Sequence, residues 1–275
     1  MKAFETVSFH IVKPCNMKCK FCYATFEDMQ NVRQMSKADA LTCIDKMAAA
    51  GVQKITFAGG EPMLYKWLKS CIIHAKGLGI TTSIITNGSL LTDNWLSEMM
   101  PYLDWIGVSI DTLNYDTMKK IGRVAYKKVN YFRLISSIKD MGYKLKINTV
   151  VNSYNKHEDL NRFIEWANPD RWKVFQALRV EGQNDSAFNE MRVSDSEFDS
   201  YIDRHAHQKA IVPENNEAMT GSYLLIDPIG RLFEDSKGTH TYSDSIINND
   251  FDKCISQINI DRDMFIKRGG IYNWK

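Results

Sequence analysis

The sequence carries little net charge and no long apolar run. Its 275 residues include 35 lysine and arginine residues against 33 aspartate and glutamate residues, a formal net charge of +2. This balance does not indicate a general nucleic-acid or membrane binder. No segment approaches the ~20 apolar residues of a membrane span, and the N-terminus has no apolar run of signal-peptide length. We therefore expect neither a nucleic-acid nor a membrane partner, and a cytoplasmic location.

The chain also lacks internal repeats, low-complexity linkers and a second pair of cysteines spaced as Cys-x2-Cys. We therefore expect a single compact unit, and a content of 44% hydrophobic residues suffices to bury its core. The six cysteines do not resemble a disulfide framework, because three of them are confined to residues 15–22. The other three, Cys43, Cys71 and Cys254, are predicted to be buried small apolar side chains.

The three clustered thiols are the strongest chemical signal in the chain. Cys15, Cys19 and Cys22 are separated by three and then two residues. Thiolates at this spacing can bind three irons of one [4Fe–4S] cube from a single loop and leave the fourth iron open. An open iron can be chelated by the amino and carboxylate groups of S-adenosylmethionine (SAM). The alternative is a structural zinc site, but such sites usually use two separated pairs of ligands, and the second pair is missing.

Apolar, β-branched segments alternate with helical patterns along the first 178 residues. Strands are predicted at Val7–Ile11, Lys54–Phe57, Thr81–Ile85, Trp105–Ile110, Lys144–Val151 and Trp172–Leu178. Strands separated by helices pair in parallel through right-handed crossovers, which predicts an α/β fold. We expect a partial (βα)6 barrel over residues 1–190. The alternation then breaks down, and residues 191–275, with a hairpin at Tyr223–Phe233, are predicted to close the barrel and cover the substrate site.

In such barrels the active site lies at the C-terminal ends of the strands. Gly59 and Gly60 follow the second predicted strand, and without Cβ atoms they let backbone groups approach a ligand closely. Polar side chains at the ends of the next strands can hydrogen-bond a ribose or a carboxylate. The predicted cofactor-binding residues are Phe21, Gly59, Gly60, Glu61, Asn87, Ser109, Asn148 and Val150. Taken singly, each polar residue is equally consistent with ordinary turn chemistry.

Five basic residues indicate an anionic substrate. Lys54, Lys146 and Lys173 fall on predicted strands, where a lysine costs desolvation free energy unless it meets an anion. With Arg123 and Arg268 they predict a nucleoside triphosphate, because several Lys and Arg contacts are the usual way to hold one. No Gly-x4-Gly-Lys-Ser/Thr loop is present, so the site is not a P-loop. The alternative is that these side chains extend to solvent.

Taken together, these motifs resemble the viperin family of radical SAM enzymes over nearly the whole chain. The matching segments are the cysteine loop and residues 57–62, 89–90, 121–123, 146–148, 171–176, 212–216, 222–224 and 264–270. The resemblance implies that Gly59 and Gly60 help to hold the methionine amine of SAM. It also implies conversion of a nucleoside triphosphate to its 3′-deoxy-3′,4′-didehydro form, a chain terminator in antiviral or anti-phage defence. CTP is the first candidate, and UTP and GTP stay open because Ser8 and Ala58 depart from the animal sequences.

The remaining expectations concern the reaction partners. Tyr223 is a candidate to donate or relay a proton, although a buried tyrosine with a hydrogen-bonded hydroxyl is an equally good structural reading. We expect an electron donor such as flavodoxin or ferredoxin, a monomer, and a lid at residues 267–272 that orders when nucleotide binds. Two other functions stay open: a radical SAM enzyme that modifies peptides, and a cluster-containing protein that inhibits a partner without turnover.

Overall fold

The computed structural model describes residues 4–29, 31–126 and 128–274. Strands and helices alternate because β-branched segments are separated by segments with apolar residues at helical spacing. The strands are β1 Thr6–His10, β2 Lys54–Ala58, β3 Thr81–Thr86, β4 Trp105–Ser109, β5 Lys144–Val151, β6 Arg171–Gln176, β7 Ile211–Glu214, β8 Leu225–Ile226, β9 Arg231–Glu234 and β10 Thr241–Ser245. The α-helices are α1 Lys37–Ala49, α2 Leu68–Gly77, α3 Asp93–Met99, α4 Tyr115–Lys120, α5 Tyr131–Asp140, α6 Asn161–Ala167, α7 Asp185–Met191, α8 Asp195–His205, α9 Asn216–Met219, α10 Phe251–Ile255 and α11 Arg262–Lys267.

All ten strands form one sheet in the order β10-β9-β8-β1-β2-β3-β4-β5-β6-β7. The six predicted barrel strands are confirmed, with small shifts at their ends, and neighbours from β1 to β6 pair in parallel. The prediction that alternation ends after β6 is wrong, because α8 leads into β7, a further parallel strand. At the other edge β8 pairs in parallel with β1, and the predicted hairpin is present as the antiparallel pair β8–β9.

Most helices of the barrel, α1, α2, α3, α5 and α6, pack their buried residues against one face of the sheet. On α5 the buried residues Tyr131, Leu134, Ile135 and Ile138 recur at the spacing of a single helical face, which faces the core. The three isolated cysteines are buried, as predicted. Among the described ranges, no helix combines the length and the apolarity needed to cross a bilayer.

The other face of the sheet encloses a cavity. Every strand from β1 to β6 contributes at least one side chain to its wall: Ser8, Thr56, Ile85, Ser109, Asn148 and Lys173. A flat sheet cannot bring its first and sixth strands to one cavity, so the sheet is curved. The predicted partial barrel is therefore confirmed.

The loop that carries the clustered cysteines runs from the end of β1 to the start of α1. It is held at the C-terminal end of the barrel by backbone hydrogen bonds from Gly60 N to Val12 O (2.7 Å) and from Glu61 N to Pro14 O (2.9 Å). A Cβ atom on Gly60 would lie 2.2 Å from Pro14 O, closer than any real contact. Glycine is therefore required here so that the loop after β2 can support the cysteine loop.

Candidate active site

The cysteine loop presents its three thiols to the cavity. Cys15, Cys19 and Cys22 are half-buried and all line its wall. Burial raises the pKa of each thiol, that of Cys19 to about 12, although Arg123 opposes the shift at Cys19. The free thiols are therefore protonated at neutral pH, and iron binding, which deprotonates a coordinating thiol, would release these protons.

The thiol positions fit a cluster better than a single ion. Within the described residues, no three His, Cys, Asp or Glu side chains converge closely enough to share one metal ion. A zinc ion requires such convergence, whereas a cube binds each thiolate at a different corner. Three thiols on one loop, facing a cavity, are the donor set that a [4Fe–4S] cluster with one open iron needs.

Arg123 lies beside the thiols and not beside the other predicted substrate cations. Its Nη1 donates to Cys19 Sγ at 3.4 Å, its Nη2 donates to Ser109 O at 2.8 Å, and its Nε lies 2.9 Å from Asp111 Oδ2. Burial alone would lower the pKa of Arg123, but Asp111 holds it above the ordinary value, so the guanidinium remains charged. The structure thus does not bring Arg123 to the predicted phosphate site, because it is fixed at the cysteine end of the cavity.

Glu61 joins the ends of β2 and β3. Its buried carboxylate accepts hydrogen bonds from Thr86 Oγ1 (2.6 Å), Asn87 N (2.8 Å) and Met63 N (3.2 Å). The Asn87 side chain then donates to Asn16 Oδ1 in the cysteine loop at 2.8 Å. A carboxylate with three donors fixes the loop after β3 against the cysteine loop. Glu61 and Asn87 therefore shape the site, whatever they contact in a bound ligand.

The cavity that these residues surround has a volume of about 300 Å³. The remaining predicted cofactor residues, Phe21, Ser109, Asn148 and Val150, also line it. Asn148 Oδ1 is buried and has no hydrogen-bond partner among the described residues. A buried acceptor without a partner costs free energy, so this atom is a fit for a donor on a bound ligand. The cavity thus offers thiols, a cation and a free polar acceptor, which are the groups that a cluster and SAM require.

A second, smaller pocket of about 60 Å³ lies deeper in the barrel and is strongly basic. The basic side chains on its wall are those of Lys54, Lys146, Arg171, Lys173 and Arg268. No aspartate or glutamate is found among the described residues of this wall. Four of the five predicted substrate cations are therefore brought together, and Arg171, which the sequence reasoning missed, takes the place of Arg123. Burying several basic groups together costs free energy, and a bound anion would offset this cost.

Lys54 forms the floor of this basic pocket. Its Nζ lies 4.6 Å from the ring centroids of both Trp105 and Tyr272 and donates to the Tyr272 hydroxyl at 2.5 Å. Burial, followed by the nearby Lys146, lowers the pKa of Lys54 to about 5. In these surroundings the lysine is neutral at pH 7, and a bound polyanion would raise its pKa and restore its charge.

Glu214 partly balances the charge just outside the basic pocket. Its Oε1 lies 2.5 Å from Lys173 Nζ and 3.5 Å from Arg268 Nη1, and its Oε2 accepts a hydrogen bond from the Tyr223 hydroxyl. Burial alone would raise the pKa of Glu214, but Lys173 and Arg268 hold it below the ordinary value. Burial lowers the pKa of Lys173 to about 7 although Glu214 opposes this shift. One carboxylate thus compensates for only part of the cationic charge.

Tyr223 stands where the two pockets meet. The residues that line both are Ser8, Thr56, Lys146, Lys173 and Tyr223. The Tyr223 hydroxyl also accepts a hydrogen bond from Lys173 Nζ at 2.5 Å. Burial raises the pKa of Tyr223 well above its ordinary value, so it carries its proton at neutral pH. A ligand with its phosphates in the basic pocket would place its next group against this tyrosine and below the thiols.

Sequence comparison gives the family. The profile of the Radical SAM superfamily matches residues 11–167. The chain is 44% identical to the S-adenosylmethionine-dependent nucleotide dehydratase of Flammeovirga pacifica, over 98% of this chain and 96% of that protein. The chain belongs to the radical SAM nucleotide dehydratases. The nucleotide dehydratase of Lacinutrix mariniflava is 47% identical over 98% of this chain. That protein is longer, and the matched region covers only 58% of its length.

Membership of the radical SAM nucleotide dehydratases confirms the resemblance to viperins and establishes a [4Fe–4S] cluster and SAM as the cofactors. The fold is confirmed by a solved structure, Streptococcus suis SuiB bound to the precursor peptide SuiA. It superposes with a TM-score of 0.71 at 16% identity, covering 91% of this chain and 64% of that one. At that identity the likeness concerns the fold alone.

The sequence reasoning missed four site residues: Asp111, Arg171, Glu214 and Tyr272. Arg171 and Glu214 lie inside segments that carried the resemblance, Arg171 next to Trp172 and Glu214 between Pro213 and Asn215. Arg171 was recoverable because it alternates with Lys173 on β6, and alternate strand residues share a face. Asp111 gave no local signal, since only the folded chain places it against Arg123. Tyr272 lay within the predicted lid, but its contact with Lys54 is likewise visible only in the folded chain.

Proposed function

We propose that the protein removes the 3′-hydroxyl of a nucleoside triphosphate and forms the 3′-deoxy-3′,4′-didehydro nucleotide. The observation that supports this proposal is the junction of the two pockets: the basic pocket, whose charge suits a triphosphate, adjoins the cavity that the three thiols line. The similar proteins from Lacinutrix mariniflava and Flammeovirga pacifica are named nucleotide dehydratases, which supports the same class of reaction. The product lacks a 3′-hydroxyl and would terminate polymerase chains, which fits a role in defence against phages or viruses.

A cluster held by Cys15, Cys19 and Cys22, together with bound SAM, would supply a 5′-deoxyadenosyl radical, and the protein would position the nucleotide for it. Phosphates held by the basic pocket would bring the ribose to the level of Tyr223, which lines both pockets, and would turn its C4′ hydrogen toward the cavity that the thiols line. The ribose then loses the C4′ hydrogen as an atom and the 3′-hydroxyl as water, for which one further electron and one proton are required. Tyr223 is proposed to hold the proton that the departing hydroxyl takes up.

The proposal is tested by supplying the reduced protein with SAM and each of the four ribonucleoside triphosphates in turn. Mass spectrometry should find a product lighter than one triphosphate by one water, together with 5′-deoxyadenosine in equal amount. CTP is the expected substrate. If UTP or GTP is converted instead, the proposed base preference changes but the proposed reaction does not. Nucleotide-independent 5′-deoxyadenosine would favour a peptide substrate, and none under any condition would favour an inhibitory binding protein.

The position of Arg123 predicts a selective effect on SAM. Because the amino and carboxylate groups of SAM approach the open iron, we propose that Arg123 binds its carboxylate. Arg123→Lys keeps the charge beside Asp111 but loses the fork of donors, so SAM affinity should fall about tenfold while nucleotide affinity is unchanged. Anaerobic calorimetry with both ligands measures this, and the cluster absorbance serves as the control. Equal losses for both ligands would contradict the assignment.

We propose that residues 267–272 of the C-terminal segment form a lid over the basic pocket. Arg268 donates to Ser222 O at 2.9 Å, and Trp105 Nε1 donates to Trp274 O at 3.0 Å, so the tail closes the basic pocket. Lys267 and Arg268 are adjacent cations beside two glycines, and the Glu214 carboxylate, which Arg268 shares with Lys173, compensates for only part of their charge, so a bound triphosphate should stabilise this segment. Hydrogen exchange at residues 267–272 should therefore slow when a triphosphate binds. Equal protection with and without triphosphate would mean that the tail is permanently packed.

A further inference from the structure

A group of lysines surrounds the cysteine loop on the outside of the barrel, where the proposed reaction does not use them. Lys18 and Lys20 flank Cys19 in the sequence, Lys119 and Lys120 end α4, and Lys128 follows shortly after. All are exposed except Lys20, whose side chain is 36% exposed. We call these five residues the lysine face.

The backbone ties the lysine face to the cysteine loop. Lys18 N donates to Gly122 O at 3.1 Å, and Lys20 N donates to Ile121 O at 3.0 Å. Gly122 has a φ of +75°, and a Cβ there would lie 2.0 Å from Lys18 O. The chain after α4 therefore lies directly against the backbone that carries Cys19. The charged side chains of Lys18 and Lys20 are therefore adjacent in sequence to Cys19, a proposed cluster ligand.

The lysine face has an excess of positive charge. Its carboxylate partners are Asp116, 2.6 Å from Lys119, and Glu190, 2.8 Å from Lys20. Five lysines and two carboxylates leave a net charge of +3, whereas the whole chain carries only +2. Lys18, Lys120 and Lys128 form no ion pair with any described residue. Such a local excess attracts a partner of opposite charge.

Two aromatic side chains lie within this charged surface, Tyr115, which is exposed, and Tyr154, which is partly buried. The ring of Tyr115, 44% exposed, has Lys119 Nζ at 5.0 Å and Lys128 Nζ at 5.1 Å from its centroid. Lys120 Nζ lies 5.7 Å from the ring of Tyr154, whose hydroxyl donates to Glu190. Charged rims with exposed tyrosines are characteristic of protein-binding surfaces. Contact with a small ion alone would not require them.

We propose that the lysine face is the docking surface for an acidic one-electron carrier protein, which reduces the cluster. This proposal rests on the proposed function, because that reaction consumes electrons that must reach a cluster enclosed by protein. One electron passes from the carrier, which is oxidised, to the cluster, which is reduced, and no bond is formed or broken. Charge complementarity would accelerate encounter and orient the carrier with its donor toward Cys19.

The test compares two double variants of the cluster-loaded protein. Lys120→Glu with Lys128→Glu reverses two unpaired charges of the lysine face, while Lys18 is left unchanged because it adjoins Cys19. Lys139→Glu with Lys209→Glu is the matched control, since both lysines are exposed and lie before the N-terminal ends of β5 and β7. Binding of oxidised flavodoxin, a carrier of strongly negative charge, is measured by calorimetry at low salt and should weaken in the first variant alone. The rate of 5′-deoxyadenosine formation is then measured with the reduced flavodoxin and, separately, with dithionite.

We expect the first variant to lose about tenfold in kcat/KM for flavodoxin at low salt, with no change for dithionite and no change in the control variant. The difference from the unmodified protein should shrink as salt approaches 0.5 M. An equal loss with dithionite, an unchanged rate with flavodoxin, or failure of flavodoxin to reduce the unmodified protein would each overturn the docking proposal. Reduction that yields 5′-deoxyadenosine but no dehydrated nucleotide would overturn the proposed function alone.

Discussion

Replacing Cys15, Cys19 or Cys22 with alanine is expected to abolish both the brown absorbance of the cluster and the cleavage of SAM. Each thiolate is expected to bind one iron, and no other cysteine among the described residues lies in the cavity wall to substitute for it. Loss of activity should exceed a thousandfold and reach the detection limit, because the radical has no other source. Absorbance, iron content and 5′-deoxyadenosine are measured on protein reconstituted without oxygen.

The matched controls for this prediction are Cys43→Ala, Cys71→Ala and Cys254→Ala. These thiols are buried in the apolar core and should contribute only to packing. Each control should keep the cluster and the activity, with a stability loss of about 1 kcal/mol for the small cavity. A control variant that folds but lacks iron would show that the ligands are assigned wrongly.

Lys173→Met is expected to reduce triphosphate affinity by about 10- to 150-fold, while SAM affinity stays unchanged. Lys173 lies at the junction of the two pockets, and a hydrogen bond to a charged group contributes about 1.5–3 kcal/mol. Removal of the ammonium also leaves Glu214 with one cation fewer, so its carboxylate would repel the phosphates more strongly. Calorimetry with the cluster-loaded protein gives both affinities.

Two further variants separate charge balance from misfolding. The double change Lys173→Met with Glu214→Gln should recover part of the lost affinity, because it removes the buried negative charge that Lys173 no longer compensates. Lys76→Met, which breaks an ion pair with Asp104 outside both pockets, should leave both affinities unchanged. A similar loss of SAM affinity in Lys173→Met would indicate that the barrel itself is disturbed.

The barrel was predictable from the sequence because its signals are local. Val and Ile runs alternate with helices that have clear starts, such as Ser36, whose side chain accepts from Asp39 N. The strand β7 was missed because it is short and contains Pro213, which argues against a strand when read alone. Its position at the edge of the sheet, where one side needs no ladder bond, makes the proline acceptable.

The site was predictable in part. The cysteine spacing and the inward lysines of β2, β5 and β6 follow from motif and strand alternation, so the structure finds them where expected. Arg123 was assigned to the phosphates because it is basic and near a motif, yet its position depends on Asp111, a contact that sequence order does not reveal. Gly59 and Gly60, which were interpreted as ligand-contacting residues, both line the cavity, and the sequence did not reveal that Gly60 is also required by its close packing against the cysteine loop.

In the proposed reaction the protein positions the C4′ hydrogen of a nucleotide against the radical site. The most direct test supplies 4′-deuterated CTP, SAM and a chemical reductant, and both products are analysed by mass spectrometry. We expect 5′-deoxyadenosine to gain one deuterium and the dehydrated nucleotide to contain none. Unlabelled 5′-deoxyadenosine formed together with a nucleotide product that retains its deuterium would contradict the proposed reaction.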